Sequence, residues 1–290
     1  VDARGLGGRI IDSAAAASAM ATGQMLPNGH VSMDERGALR SVFDEARDDG
    51  WALGVVTTSS VVDATPAAFT AHAQSRSDRG PIGRELLART HPEILFGGAG
   101  VALLDAERAG YRVVTDAATL AEACSRESRP LAALFTPLLL PFARPSLPTL
   151  AQLTSCALER LERAPRGFLL LVEDERIDEA SHANNGETLL AAMAAFDDSV
   201  AVVLSWAAAH PDVLVLVSGD HECGGLTVVE ETTSEGVPEL RWSTTGHSTR
   251  PIRLYASGRG AELARDVHRL VDLHSLLCAS LPDGHCDAQP

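Results

Sequence analysis

A small set of side chains in this sequence has the types and spacing to do chemistry. Asp178 and His182 stand four residues apart. On a helical turn that spacing puts a carboxylate and an imidazole on one face, a usable pair of zinc ligands, although many solvated helix faces share it. Asp220 and His221 follow a buried apolar run and precede Gly224 and Gly225. Neither suits a core position, so the pair reads as ligands or as a helix cap with a satisfied histidine. His247 lies in the polar, turn-rich W-S-T-T-G-H-S-T, where a lone histidine is ordinarily surface decoration. Together, three histidines and two aspartates at strand ends supply mixed nitrogen and oxygen ligands suited to zinc. Glu173 and Thr65 offer the hard oxygen atoms that magnesium prefers.

Ser13 is a nucleophile candidate, in I-I-D-S-A-A-A-A-S-A-M-A-T-G, where an apolar run turns into a small-residue helix. A serine there is most often an N-cap. The same helix terminus aims backbone N–H groups at an anion. No histidine lies nearby in sequence to act as base, so activation has to come from a metal on the serine oxygen, which the Asp220-His221 site could supply. Arg76 complements such a nucleophile, because its planar fork can hold two non-bridging phosphate oxygens.

These residues need elements to position them. Short apolar runs at Leu53–Thr57, Ile94–Phe96, Ala132–Phe135, Phe168–Val172, Val213–Val217 and Ile252–Tyr255 read as strands, several continuous enough to be covered on both faces. They alternate with amphipathic stretches, so the pattern predicts an α/β fold with a mainly parallel sheet. Leu189, Met193, Phe196, Val200 and Val203 form one stripe within a helix over Thr188–Ala208, and further helices are expected at Ala14–Thr22, Met33–Asp49, Pro66–Ser75, Leu147–Arg163 and Ala261–Leu277. Pro137 to Pro148 reads as a loop, and Leu281 to Pro290 as a polar tail. In an open α/β sheet, ligands bind beyond the carboxyl ends of the strands, where most of the candidates fall.

The composition narrows the partners. The 290 residues carry 24 basic and 39 acidic side chains, a net charge of −15, with no lysine among the basic ones. Lysine-based chemistry is excluded, and no arginine cluster is dense enough to bind a nucleic acid. No run of about 18 uncharged apolar residues stands out as a membrane span. The five cysteines show no C-x-x-C pair and leave the redox compartment open.

Five segments, in order, resemble the alkaline phosphatase family. D-S-A-A-A-A-S-A-M-A-T-G (12–23), with P-N-G (27–29) and Asp34 after it, resembles the serine segment. V-V-T-T-S-S-V-V-D-A-T-P-A-A-F-T-A-H-A-Q-S-R (55–76) is similar to the segment holding the magnesium threonine and the phosphate arginine. F-L-L-L-V-E-D-E-R-I-D-E-A-S-H-A-N (168–184), S-G-D-H-E-C-G-G (218–225) and T-G-H-S-T (245–249) resemble the remaining metal segments, and the likeness runs from about residue 10 to 280.

The resemblance implies a three-layer α/β/α sandwich and a phosphate monoesterase with two zinc ions and one magnesium. Ser13 would form a phosphoserine, and Arg76 would clamp the phosphate, steadied by Asp12 and Asp63. Asp178, His182 and His247 would hold one zinc, Asp220 and His221 the other, and Glu173 with Thr65 the magnesium. Cys223 would lie behind the site as a buried thiol. By the same analogy the protein is exported to the periplasm or outside, acts on small phosphate monoesters, and could form a homodimer. Two departures stand out. Glu179 follows Asp178 where the family commonly has His, Lys or Trp, which predicts weaker phosphate binding or an altered third metal site. The family's opening strand, ending in a metal-bridging Asp within a G-D-G-M-G-like motif, has no counterpart here, so the 290 residues are expected to be one catalytic domain incomplete at its amino end. The alternatives are a non-catalytic metal-binding remnant, or a phosphodiesterase or sulfatase. Intact Ser13, Arg76 and ligands speak against the first, and the D-S-A-A motif against the second.

Overall fold

The computed structural model describes residues 1–126, 128–136, 147–230, 238–281 and 286. Helix α1 (Ser13–Thr22) is almost all alanine and small residues, the best helix formers and slim enough to be enclosed on every side. Asp12 caps it by accepting the Ala15 N–H, and Gly23 closes it in the left-handed conformation. α2 (Val42–Asp48) starts with a Ser41/Asp44 capping box, and α3 (Ala64–Thr70) is capped by Asp63.

The strands β1 (Ala52–Ser60), β2 (Ile94–Gly98), β3 (Arg112–Val114), β4 (Leu131–Phe135) and β5 (Phe168–Glu173) form one sheet in the order β3-β4-β2-β1-β5, with every pairing parallel. Strand β1 sends Leu53 and Val55 into a core shared with α1, α2 and α3, and Val56 into a second core. That second core lies under α4 (Ala117–Arg126) and α5 (Leu150–Leu161). A parallel sheet between two helical layers is the expected three-layer sandwich.

Helix α6 (Arg176–His182) follows β5 directly, and α7 (Gly186–Ala207) lies along α5, tied by a buried Thr154–Ser199 hydrogen bond of 2.7 Å. By length and composition alone α7 could cross a membrane, which the apolar-run criterion did not anticipate. It carries Asp197 and Asp198 in mid-length, and as part of the sandwich it is an outer wall.

Strand β6 (Leu214–Ser218) departs from the expected parallel pattern. It pairs antiparallel with β9 (Leu254–Gly258), two short strands β7 (Glu222–Cys223) and β8 (His247–Ser248) pair between them, and α8 (Leu270–Ala279) packs back onto α1. Among the described residues β5 has a partner on one edge only, β6 likewise, and no backbone pairing joins the two sheets. All six residues of β5 are only half-buried.

Other expectations shift. Met33–Asp49 is not one helix, because Met33–Asp34 and Gly37–Ala38 form a hairpin before α2. Ala261–Leu277 splits into a 3-10 turn (Ala261–Asp266) and α8. The tail is not simply polar: Leu281 is buried and Cys286 is disulfide-bonded to Cys278. A second disulfide joins Cys124 to Cys156. The expected loop over 137–148 lies outside the described residues, except for Leu147 and Pro148.

Candidate active site

Ser13 is the first residue of α1, so its side chain stands where the helix turns its free N–H groups and positive dipole end outward. Asp12 is held from three directions: it accepts Ala15 N at 3.0 Å and Gly29 N at 3.0–3.1 Å, and its own N–H donates to Asn28. Its carboxylate lies 3.5 Å from Arg76 Nη1, while Arg76 Nη2 donates to Asp63 at 2.9 Å. The Arg76 backbone N–H donates to Gly29 O at 2.7 Å. Burial works against the guanidinium charge, but Asp63 and Asp12 outweigh it and raise its pKa. The fork is aimed before any anion arrives.

Across from α1, helix α6 after β5, the turn after β6 and strand β8 bring the ligand candidates together. The His182 Nδ1–H donates to Thr245 O at 2.6 Å and the His247 Nδ1–H to Ile11 O at 2.8 Å. Both Nε2 atoms are therefore lone pairs in the neutral tautomers, yet they face each other at 3.1 Å. Asp178 adds acceptors, Oδ2 at 3.2 Å from His182 Nε2 and Oδ1 at 3.5 Å from His247 Nε2. Converging acceptors need a cation. Asp178 Oδ1 and His221 Nδ1 are buried without a hydrogen-bond partner, which marks the same spot. Burial pushes the Asp178 carboxyl up, but His247, Cys223, His221 and His182 pull it down to about 2, so it stays ionised.

A second convergence involves the serine. His221 Nε2 lies 3.0 Å from Ser13 Oγ and 3.1 Å from Asp220 Oδ2, and the His221 ring stacks on His247 with centroids 3.5 Å apart. Strand end and turn make this possible: Gly224 takes a positive φ of 84°, and a Cβ there would lie 2.4 Å from Trp242.

At the end of β5, Glu173 pairs in register with Thr57 of β1 and accepts its hydroxyl at 2.6 Å. Burial lifts its pKa to about 8, against the pull of the Thr57 and Thr65 hydroxyls, with Glu175 and Asp220 adding to the rise. A carboxyl that desolvation keeps protonated beside a threonine and a second carboxylate fits a hard cation, whose charge would restore the anion. The turn from β5 to α6 is fixed below by the buried Asp174–Arg176 pair and by Thr58, which donates to Asp174 at 2.9 Å.

The family profile described as Alkaline phosphatase matches residues 2–94 and 99–239. The chain belongs to the alkaline phosphatase family. It is 32% identical to streptomycin-6-phosphate phosphatase of Streptomyces griseus over 97% of this chain and 80% of that protein. It is 29% identical to alkaline phosphatase H of Pseudomonas aeruginosa, over 83% of this chain but only 63% of the relative. Among solved structures, a cold-active alkaline phosphatase from a psychrophilic Shewanella superposes with a TM-score of 0.86 over 97% of this chain and 89% of that one, at 23% identity.

The structure brings Ser13, Asp12, Asp63 and Arg76 together at the end of α1, Asp178, His182, Asp220, His221 and His247 across from it, and Glu173 beside Thr65. Three further participants were not singled out as such. Thr57 was seen only as a strand end. Cys223, expected as a buried thiol behind the site, pairs in register with His247, and its buried Sγ lies within 4.8 Å of ligand atoms of Asp178, His182 and His247. Glu175 is held up to about 7 by burial, with Ser59 and Arg76 pulling down and Asp63 and Glu179 pushing up. Only its position between Glu173 and Asp178 could have drawn attention to it.

Proposed function

We propose that this protein hydrolyses phosphate monoesters through a phosphoserine on Ser13, with two zinc ions and one magnesium. One observation carries the reading: Ser13 Oγ, His221 Nε2 and Asp220 Oδ2 converge within 3.0–3.1 Å on the helix end that Asp12 ties to Arg76. Asp178, His182 and His247 would hold one zinc, Asp220 and His221 the other, and Glu173 with Thr65 the magnesium. When bound, these cations lower the pKa of the attacking hydroxyl and of water, and neutralise charge on the entering and leaving oxygens.

The chain's own residues supply the rest. The Arg76 fork takes two non-bridging oxygens, and the α1 N–H groups face the same anion. Ser13 forms the new O–P bond as the bond to the leaving group breaks, and the proton it releases is passed through solvent to that leaving oxygen, which departs as the alcohol. Water then attacks the phosphoserine from the opposite side, releasing inorganic phosphate and restoring Ser13.

Among the described residues β5 and β6 each have an unpaired edge, which supports a second element of the proposal: a further strand lies between them and brings an acidic ligand to the Asp220 and Glu173 sites. Hydrogen exchange is the check. In a chain carrying that strand, the backbone amides of Phe168–Glu173 and Leu214–Ser218 should be strongly protected relative to these residues alone, and equal protection would remove the strand from the proposal. Two disulfides fit an oxidising compartment, so we read the protein as exported.

Glu175 near Arg76, with Glu179 close to Glu175, favours a substrate whose alcohol part is cationic. The relative named for streptomycin-6-phosphate makes a basic sugar phosphate the first candidate. The decisive assay is zinc-dependent release of p-nitrophenol from its phosphate monoester, compared with the bis-ester and with Ser13→Ala. Monoester turnover lost in Ser13→Ala is the expected result, and turnover that survives it ends the mechanism.

A further inference from the structure

A second group of soft ligands lies at the other end of the serine helix. His274 and Cys278 are four residues apart on α8, and Cys286, eight residues beyond Cys278, is bonded to it. One ligand atom from each of the three lies within 4.8 Å of the other two.

The histidine is set up as a ligand already is in metal centres. Its Nδ1–H donates to Ala21 O at 3.0 Å, near the carboxyl end of α1, which fixes the tautomer and leaves Nε2 as a lone pair. That Nε2 points at Cys278 Sγ, 3.3 Å away. The ring is seated by Gly23, where a Cβ would meet His274 Cδ2 at 2.8 Å. Burial, stronger than the opposing pull of Ala21 O and Glu45, lowers the imidazole pKa and keeps it neutral. From Ala21 to Ser13 is about 12 Å along the helix, so this cluster is separate from the phosphate centre.

We propose that His274, Cys278 and Cys286 form a redox-gated metal site that takes one thiophilic divalent cation, zinc by its chemistry, once the Cys278–Cys286 disulfide is reduced. A dithiol supplies the two electrons and two protons: the S–S bond breaks, two thiols form, and the reductant leaves as its own disulfide. The cation then displaces the thiol protons and binds one imidazole nitrogen and two thiolates, a ligand set suited to zinc. In the oxidised protein the covalent bond anchors the end of the chain to α8, and in the reduced protein the metal does.

Cobalt reports this directly, because thiolate ligation gives an intense near-ultraviolet charge-transfer absorption that oxygen and imidazole ligands lack. The purified protein, with zinc already in its phosphate centre, is titrated with Co2+ before and after reduction by dithiothreitol and removal of the reductant. Far-ultraviolet circular dichroism checks that the fold is retained. One added equivalent of Co2+ with the charge-transfer band is expected only after reduction. Cys286→Ser should abolish the band, and His274→Gln should weaken binding on the order of tenfold or more. As a second readout, bound zinc should slow the reaction of two thiols with a thiol reagent. A band of undiminished intensity in Cys286→Ser arises from Cys124, Cys156 or Cys223 and overturns the proposal. So does a reduced, folded protein with no band, or His274→Gln binding Co2+ unchanged.

Discussion

His182 and His247 present their Nε2 atoms to each other at 3.1 Å while each commits its Nδ1 hydrogen to a backbone carbonyl, Thr245 O and Ile11 O respectively. Two lone pairs at that distance repel unless a cation lies between them. A proton shared with Asp178, which raises the His247 pKa against the effect of burial, or a metal ion relieves that contact, and Asp178 carries the negative charge that would hold either. His247→Ala should therefore weaken zinc binding by at least about 10–100-fold, since losing only a hydrogen-bond partner of a ligand costs that much. Competition with a chromophoric chelator measures it, and unchanged affinity would exclude this cluster as a zinc site.

Asp63 both caps α3 and holds Arg76 and Arg79. Its two roles separate by substitution. Asp63→Asn keeps a good capping side chain, so stability should stay within about 0.5 kcal/mol, whereas Asp63→Ala should lose about 1 kcal/mol in urea unfolding. Both variants free Arg76 from its stronger partner, and inorganic phosphate should inhibit both less well than the parent. An Asp63→Asn protein with parental phosphate affinity would show that Asp63 does not position the arginine.

Glu173 makes the metal-free protein sensitive to alkali. Its pKa rises from 4.5 in the unfolded chain to about 8 when folded, chiefly through burial. Below pH 4.5 the group is protonated in both states and costs nothing. Between pH 4.5 and 8 the unfolded chain releases the proton first, so the folded state loses stability as pH rises. Chelator-treated protein should then show a falling urea midpoint from pH 5 to about pH 8, a slope that Glu173→Gln flattens and that magnesium offsets. A slope identical in the Gln variant would assign the effect elsewhere.

Glu179 is exposed on the first turn of α6, next to Asp178 and close enough to Glu175 to raise its pKa. Glu179→Lys should lower KM for p-nitrophenyl phosphate and raise it for a cationic sugar phosphate, by up to about fivefold each, the range of exposed charge pairs. A change of the same sign for both substrates would show that the residue acts on the metal site rather than on the leaving group.

The motifs of the proposed phosphate centre are short and local, and for that reason the sequence makes them legible. Asp12 before Ser13 is both a helix cap and an arginine partner, and Asp178 with His182 fall on one helical turn. The β6 pairing was not readable, because an apolar run such as Leu214–Ser218 suits either direction of pairing, and the choice is made by β9, reached only through the turns around Trp242 and His247. The hairpin at Met33–Ala38 was hidden for a similar reason: its backbone turns at Glu35 and Arg36 into Gly37, with φ of 140°, inside a stretch whose polar pattern also suits a helix.

By itself, then, the sequence determined the family, through motifs that resemble it, and it offered the candidate site residues, since short motifs, caps and strand ends are local properties of the chain. Only the tertiary structure decided which of their atoms meet. The direction of the His182 and His247 lone pairs depends on carbonyls 63 and 236 residues away, and Cys223 enters the cluster through its register with His247. The docking of His274 under the end of α1 likewise rests on a contact spanning 253 residues, Ala21 to His274. Contacts of that range are set by how the helices and strands pack, and no local spacing encodes them.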